Sequence, residues 1–266
     1  MGIKDFYLNG KVAFIVGGRR GIGKASALAF AEVGADIAVA DIVSEGLEET
    51  AAEIRKMGRR ALAVQMDITN KADVEKAVKK VVAELGGIDV LMNTPVIVKP
   101  LSLLELGEDD WDATMDSSLK GYFLASQAVA KQMIAQGRGG SIINMSSRSH
   151  VRPRENTGNY GTVKAGVVAL SGQLAMELGK YNIRANSIAP SVVTTEVVME
   201  SDMMGSEERQ RNIKSEIPLG RLCEPGEIAN VALFLASDGA SYVSGRVIIV
   251  DGGSMWVGAH NPPPKK

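Results

Sequence analysis

The chain has 266 residues, enough for one large domain or two small ones, and 45% of them are hydrophobic, which supplies a sizeable core and excludes a disordered chain. Thirty lysines and arginines against 31 acids leave a net charge of −1, so no global field draws the chain to nucleic acid or an anionic membrane. A single cysteine, Cys223, excludes an intrachain disulfide and suits a reducing cytoplasm; it reads as a small buried side chain rather than a catalytic thiol.

In chain order, short β-rich runs alternate with helical patterns. Strands are expected at Lys11–Val16, Asp36–Asp41, Ala61–Asp67, Val90–Asn93, Ser141–Ser146, Arg184–Ala189 and Val247–Asp251. Helices are expected at Gly21–Val33, Ser44–Met57, Lys71–Glu84, Asp110–Gln136, Asn159–Lys180 and Pro225–Ala236. Such alternation implies βαβ units: an α/β fold, a doubly wound parallel sheet with helices on both faces, forming one domain over 1–266. Burial on both faces explains why the strands are apolar runs rather than alternating ones. Two segments break the rhythm, Ser147–Thr157 and Ser191–Leu219. Both follow strands, where ligands bind in open α/β sheets, so both are expected to border a pocket. From about residue 254 the tail, ending Asn-Pro-Pro-Pro-Lys-Lys, is expected to fray. The first residues, Met-Gly-Ile-Lys-Asp-Phe, lack the apolar core of a signal peptide, and Phe6 stands where a myristoylation motif needs Ser or Thr. With no apolar run long enough to span a bilayer, a cytoplasmic location is expected.

Gly17, Gly21 and Gly23 lie between the first strand and the first helix. Glycine admits positive φ and lets backbone N–H groups approach a phosphate, and a helix N-terminus favours an anion. The spacing is Gly-x-x-x-Gly-x-Gly rather than the usual dinucleotide fingerprint, and alone it fits any tight turn. Gly18 to Lys24 also fits most of a P-loop, but Ala25 stands where that motif needs a magnesium-binding hydroxyl. Asp41, ending the second strand, is placed to accept a hydrogen bond from a ribose 2′-hydroxyl and to repel a 2′-phosphate, which favours NAD over NADP. Arg19 and Arg20 pull the other way, since either could pair with a phosphate.

Tyr160 and Lys164 stand one turn apart on a helix and so share a face. A neighbouring cation is expected to lower the phenol pKa and fit it for proton transfer to or from a substrate oxygen. In the loop after Ser147, Arg148-Ser-His-Val-Arg-Pro-Arg154 carries four basic or potentially basic side chains. Arg152 and Arg154 there suit a carboxylate or the phosphates of coenzyme A, or else pair with surface acids. His150 and His260 are too scattered for a metal site, so no metal is expected.

Together these residues resemble the classical short-chain dehydrogenase/reductase family, from about Asn9 to Gly253. The family turn Thr-Gly-x-x-x-Gly-x-Gly is matched at Val16 to Gly23 except at Val16, and its acid after the third strand by Asp67. Its catalytic serine is matched by Ser147 and its Tyr-x-x-x-Lys by Tyr160 and Lys164. Pro190-Ser-Val-Val-Thr-Thr195 approximates its Pro-Gly-x-x-x-Thr segment. Pro218-Leu-Gly-Arg-Leu and Val250-Asp-Gly-Gly253 look like its C-terminal part. The resemblance implies a Rossmann-type fold and an NAD-dependent alcohol dehydrogenase or ketone reductase. Tyr160 would be general acid/base, Lys164 would tune it and hold the nicotinamide ribose, and Ser147 would orient the substrate oxygen. The implied cofactor set is Gly17, Arg20, Gly21, Ile22, Gly23, Asp41, Asp67, Ile68, Asn93, Tyr160, Lys164, Pro190, Val193 and Thr195. Ser147, Arg152 and Arg154 would meet substrate. A homo-oligomer, dimer or tetramer, is implied, paired through the helices at Asp110–Gln136 and Asn159–Lys180, with a hetero-oligomer as the alternative.

Three positions depart from the family pattern. Asn-Asn-Ala-Gly reads Asn93-Thr-Pro-Val96, the relay Asn is replaced by Ser118, and Ser191 replaces a glycine. Ser118 keeps a hydroxyl able to hold water, so a slowed or rearranged proton relay is expected. These departures also support a rival reading, a degenerate subunit that binds nucleotide or supports an active partner.

Overall fold

The computed structural model describes residues 2–201 and 204–256. Seven parallel strands form one sheet: β1 (Val12–Val16), β2 (Asp36–Asp41), β3 (Ala61–Gln65), β4 (Val90–Asn93), β5 (Gly140–Met145), β6 (Ile183–Pro190) and β7 (Val247–Val250). Their order is β3-β2-β1-β4-β5-β6-β7. The chain winds outward from β1 to β3, returns to pair β4 with β1, and winds outward the other way to β7. A crevice therefore opens beyond the carboxyl ends of β1 and β4, where the winding reverses.

Alternation along each strand feeds two separate cores. From β1, Val12, Phe14 and Val16 join the layer that holds α3 (Lys71–Leu85), α5 (Gly121–Gln136) and α6 (Tyr160–Leu178). Ala13 and Ile15 point to the opposite layer, with α1 (Gly21–Glu32), α2 (Leu47–Lys56) and α9 (Pro225–Ala236). This two-sided burial is why the strand sequence carries no polar alternation.

Local chemistry sets the helix ends. The Asn70 side chain caps α3 by accepting from the Ala72 and Asp73 N–H groups, and Pro225 opens α9. The helix expected from Ser44 begins at Leu47, because Gly46 has φ +79°, outside helical space. The long helix expected at Asp110–Gln136 starts earlier and is interrupted. It runs as α4 (Glu108–Met115), a π turn over Asp116–Lys120, and α5, with the Gly121 N–H reaching the Asp116 carbonyl. Single π turns within α-helices cluster at functional sites. The stretch Ser191–Leu219 is less irregular than expected. It holds α7 (Glu196–Met199) and α8 (Glu207–Ser215), whose first turns are capped by the side chains of Thr195 and Ser206. Ser254, at the expected start of the tail, is fully buried; residues 257–266 lie outside the described residues.

One buried carboxylate ties β1 to the start of β4. Asp89 accepts from the Val12 N–H at 2.8 Å and from Arg138 Nε at 2.6 Å. Asp89→Ala would leave a buried N–H and a guanidinium unpartnered, at a cost of about 3 kcal/mol. Urea denaturation should show that loss; a change below about 1 kcal/mol would contradict the role given to Asp89.

Candidate active site

The Gly-rich turn is built so that only glycine fits. Gly17 has φ +83°, and a Cβ there would fall 2.2 Å from Thr94 Oγ1. A Cβ on Gly23 would fall 2.0 Å from the Gly17 carbonyl oxygen. The Thr94 hydroxyl donates to the Val16 carbonyl at 2.8 Å and braces the turn from β4. No side chain caps α1 and no acid occupies its first turn, which leaves its N–H groups and dipole for an anion. At the end of β2, the Asp41 carboxylate accepts from the Val43 N–H at 3.1 Å. Glycine cradle, uncapped helix and neighbouring carboxylate together fit a dinucleotide. The other expected cofactor residues are placed as follows. Ile22 follows Gly21 in the first turn of α1, and Thr195, beyond β6, packs on Gly21, where a Cβ would meet its Cγ2 at 3.1 Å. Pro190 ends β6 and the Val193 carbonyl accepts from the Thr195 N–H. Asp67 accepts from the Thr69 N–H and hydroxyl, both at 2.8 Å, and Ile68 is buried under Gly121. The Arg20 guanidinium lies 3.8 Å from Glu200.

Ser147, Tyr160 and Lys164 come together where β5 ends and α6 begins. The Ser147 hydroxyl accepts from the Ser149 N–H at 3.2 Å, and Tyr160, the first residue of α6, lies near enough for that hydroxyl to pull on its phenol. Lys164 is buried, and its Nζ donates to the Met145 carbonyl at 2.8 Å. Burial pushes Lys164 down to about 7. Burial also raises the Tyr160 phenol, against a smaller downward pull from the Ser147 hydrogen bond. The expected lowering of Tyr160 by Lys164 is therefore corrected. The ammonium is turned to the Met145 carbonyl, 5.6 Å from the Tyr160 ring centre, and its own charge is weakened by burial.

The basic loop is tied down. Arg148 is buried and donates to Ser254 Oγ at 2.8 Å, and it shares Glu216 with Arg154. Arg152 donates to the Ser254 carbonyl at 2.6 Å. These bonds clamp the segment after Ser147 to the turn at Asp251–Ser254 and to the end of α8.

The same architecture recurs among known proteins. Residues 16–255 match a family model described as enoyl-(acyl carrier protein) reductase. The 3-oxoacyl-[acyl-carrier-protein] reductase FabG of Thermotoga maritima is 39% identical, over 92% of this chain and 98% of that protein. The (2S)-[(R)-hydroxy(phenyl)methyl]succinyl-CoA dehydrogenase subunit BbsD of Thauera aromatica is 39% identical, over 97% and 100%. A 7α-hydroxysteroid dehydrogenase solved with NADH superposes with a TM-score of 0.90 at 32% identity, covering 95% of this chain and 97% of that one. A 2-deoxy-D-gluconate 3-dehydrogenase homologue from Agrobacterium tumefaciens, solved with NADP, gives 0.87 at 32% identity, over 95% and 99%. The chain belongs to the short-chain dehydrogenase/reductase family. It is an oxidoreductase fold of a family that uses nicotinamide cofactors on small molecules.

Two of the family departures converge on one atom. The Pro95 carbonyl accepts from Ser118 Oγ at 3.3 Å and from the Tyr122 hydroxyl at 3.0 Å. Ser118, which lies inside the π turn, directs its hydroxyl to Pro95 and keeps its oxygen lone pairs for other donors. Asn93 is fully buried and donates to Asn144 at 2.9 Å; its Oδ1 has no partner among the described residues. Sequence reasoning missed Tyr122, Thr94 as a brace, and the Glu216–Ser254 anchors. A large aromatic residue just after the relay position of a core helix was the available signal for the first. Among the described residues no group of His, Cys, Asp and Glu could hold a metal ion, and no helix is long and apolar enough to cross a membrane; His260 lies outside them.

Burial of Lys164 has a sign that can be measured. Its folded pKa of about 7 lies below the ordinary lysine value, so between the two the unfolded chain binds more protons. Stability contributed by this group should rise with pH from about 7 toward 10. Thermal midpoints of the wild type should follow that rise, and Lys164→Met should flatten it. An equal slope in both proteins would contradict the assignment.

Proposed function

We propose that the chain is an NAD-dependent oxidoreductase that interconverts a secondary alcohol and a ketone. Residues 1–266 act as one dinucleotide-binding and catalytic unit, in the cytoplasm. The observation that carries this reading is the meeting of Ser147, Tyr160 and Lys164 at the end of β5, one strand from the crevice between β1 and β4. A nicotinamide bound in the Gly17–Gly23 cradle would supply the hydride chemistry. The Tyr160 phenol gives its proton to the substrate oxygen in reduction and takes it back in oxidation, and the Ser147 hydroxyl orients that oxygen. Lys164, titrating near neutrality, exchanges protons behind Tyr160 and holds the ribose. Asp41 favours NAD, while Arg20 lies 3.8 Å from Glu200, an exposed acid that competes weakly with a 2′-phosphate for it.

The substrate is proposed to be acidic or CoA-linked, which the Thauera relative supports by what its name says of that protein. Arg152 and Arg154 would receive the anion, with Arg154 exchanging Glu216 for it. A homo-oligomer, dimer or tetramer, formed on α4, α5 and α6 is supported by exposed Trp111, Phe123 and Met176 on those helices. A second reading, a subunit with little catalysis of its own in a hetero-oligomer, is favoured by the rebuilt wall at Thr94-Pro95-Val96. The Thauera relative is itself described as a subunit.

Fluorescence titration should give tighter binding of NADH than of NADPH, and the reverse order sinks the Asp41 argument. Tyr160→Phe should lower turnover about 100-fold or more while NADH still binds, as expected when a general acid is removed. A Phe variant at full rate would point to another acid. Wild-type protein that binds NADH yet reduces no ketone in a panel of keto sugars, keto acids and 3-oxoacyl-CoA thioesters would favour the subunit reading.

A further inference from the structure

Lys164 presents a problem the catalytic trio does not solve. Its ammonium is buried, and a buried charge without a partner is costly. Among the described residues no carboxylate lies within ion-pair distance of Nζ, and desolvation is what sets its titration. The groups facing it are the Met145 carbonyl from β5, the Tyr160 ring from its own helix and the Tyr122 ring from α5. The nearer ring is that of Tyr122, with its centre 5.4 Å from Nζ. A cation within about 6 Å of an aromatic face is attracted to the ring quadrupole, most strongly where both are desolvated, and Tyr122 is fully buried.

Three features hold that ring. Its hydroxyl donates to the Pro95 carbonyl, which also accepts from Ser118. The π turn ends at Lys120, so the extra residue it carries sets the angular position at which α5 begins. One residue is about 100° of helix rotation, enough to decide whether residue 122 faces the site or leaves it. Gly121 permits the turn, since a Cβ there would sit 3.0 Å from both the Asp116 carbonyl and Ile68.

We propose that Tyr122 is a positioning residue for Lys164, its ring holding the ammonium against the Met145 carbonyl and its hydroxyl tying that ring to the Pro95–Ser118 pair. In this chain the position where the family keeps its relay Asn anchors an aromatic brace. The departures Pro95 and Ser118 then form a single device with Tyr122, rather than separate signs of decay. The catalytic meaning of this device rests on Tyr160 and Lys164 acting as the proton-handling pair.

The test separates the ring from the hydroxyl and reads Lys164 directly. The ¹³Cε resonance of Lys164, assigned with Lys164→Met in ¹³C-lysine-labelled protein, is titrated in wild type, Tyr122→Phe, Tyr122→Leu and Tyr122→Met. The ring favours the charged form, so losing it should move the midpoint down by about one pH unit in the Leu and Met variants. Tyr122→Phe, which keeps the ring but loses its tie to Pro95, should shift the midpoint in the same direction by less than half as much. The alkaline limb of kcat/KM should move with the midpoint. A Leu or Met midpoint that stays or rises, or a Phe variant that shifts as far as Leu, overturns the proposal. The Met variant, whose unbranched side chain adapts to an irregular gap, serves if Leu fails to fold. Because the titration needs no turnover, an inactive wild type would count against the proposed function and leave this result readable.

Discussion

A lysine ammonium buried without a carboxylate is the constraint on which the rest of the site depends. Among the described residues the partners of the Lys164 ammonium are neutral: one carbonyl and two aromatic rings. An acid partner would hold the charge and keep the group protonated far above neutral pH. Neutral partners leave it near the middle of its titration at about pH 7, which is where a proton-exchanging group is most useful. The tyrosine beside it is raised by burial, so two groups whose ordinary pKa values nearly coincide are pushed apart, the lysine down and the phenol up.

The fold supplies this environment through its winding. The reversal between β1 and β4 opens the crevice, and the glycine turn lines one side of it. One strand further on, β5 delivers both the Met145 carbonyl and Ser147. The helix α6 begins at Tyr160 and presents Lys164 one turn later on the same face. Each element is held by burial on both faces of the sheet, so the site inherits the rigidity of two cores. The arginine clamp on Glu216 and Ser254 extends that rigidity to the loop behind Ser147.

Much of this was legible in the sequence because it rests on local signals. Strand runs at Asp36–Asp41 and Val90–Asn93, the proline start of α9 and the glycine cradle all follow from period and residue type. The sheet and the family follow from the order of those signals. What was not legible depends on geometry between distant segments. The π turn has no residue signature in Asp116–Lys120, and the convergence of Ser118 and Tyr122 on Pro95 spans more than twenty residues of sequence. Pairing of the basic loop with surface acids was one of its two readings, but the acid itself, Glu216, lies 62 residues from Arg154 and could not be named from sequence. The expected cationic pull on Tyr160 failed for the same reason, since helical spacing says that two side chains share a face and not where the longer one points.

Hydride transfer itself can be followed atom by atom. NADH carrying deuterium at either face of C4 is incubated with acetoacetyl-CoA, dihydroxyacetone and a panel of other ketones, and the alcohol product is weighed by mass spectrometry. The account predicts a product one mass unit heavier from one of the two labelled faces and not the other, with that transfer abolished in Tyr160→Phe. Alcohol formed without deuterium from either face, or equal transfer in the Tyr160→Phe protein, would contradict it.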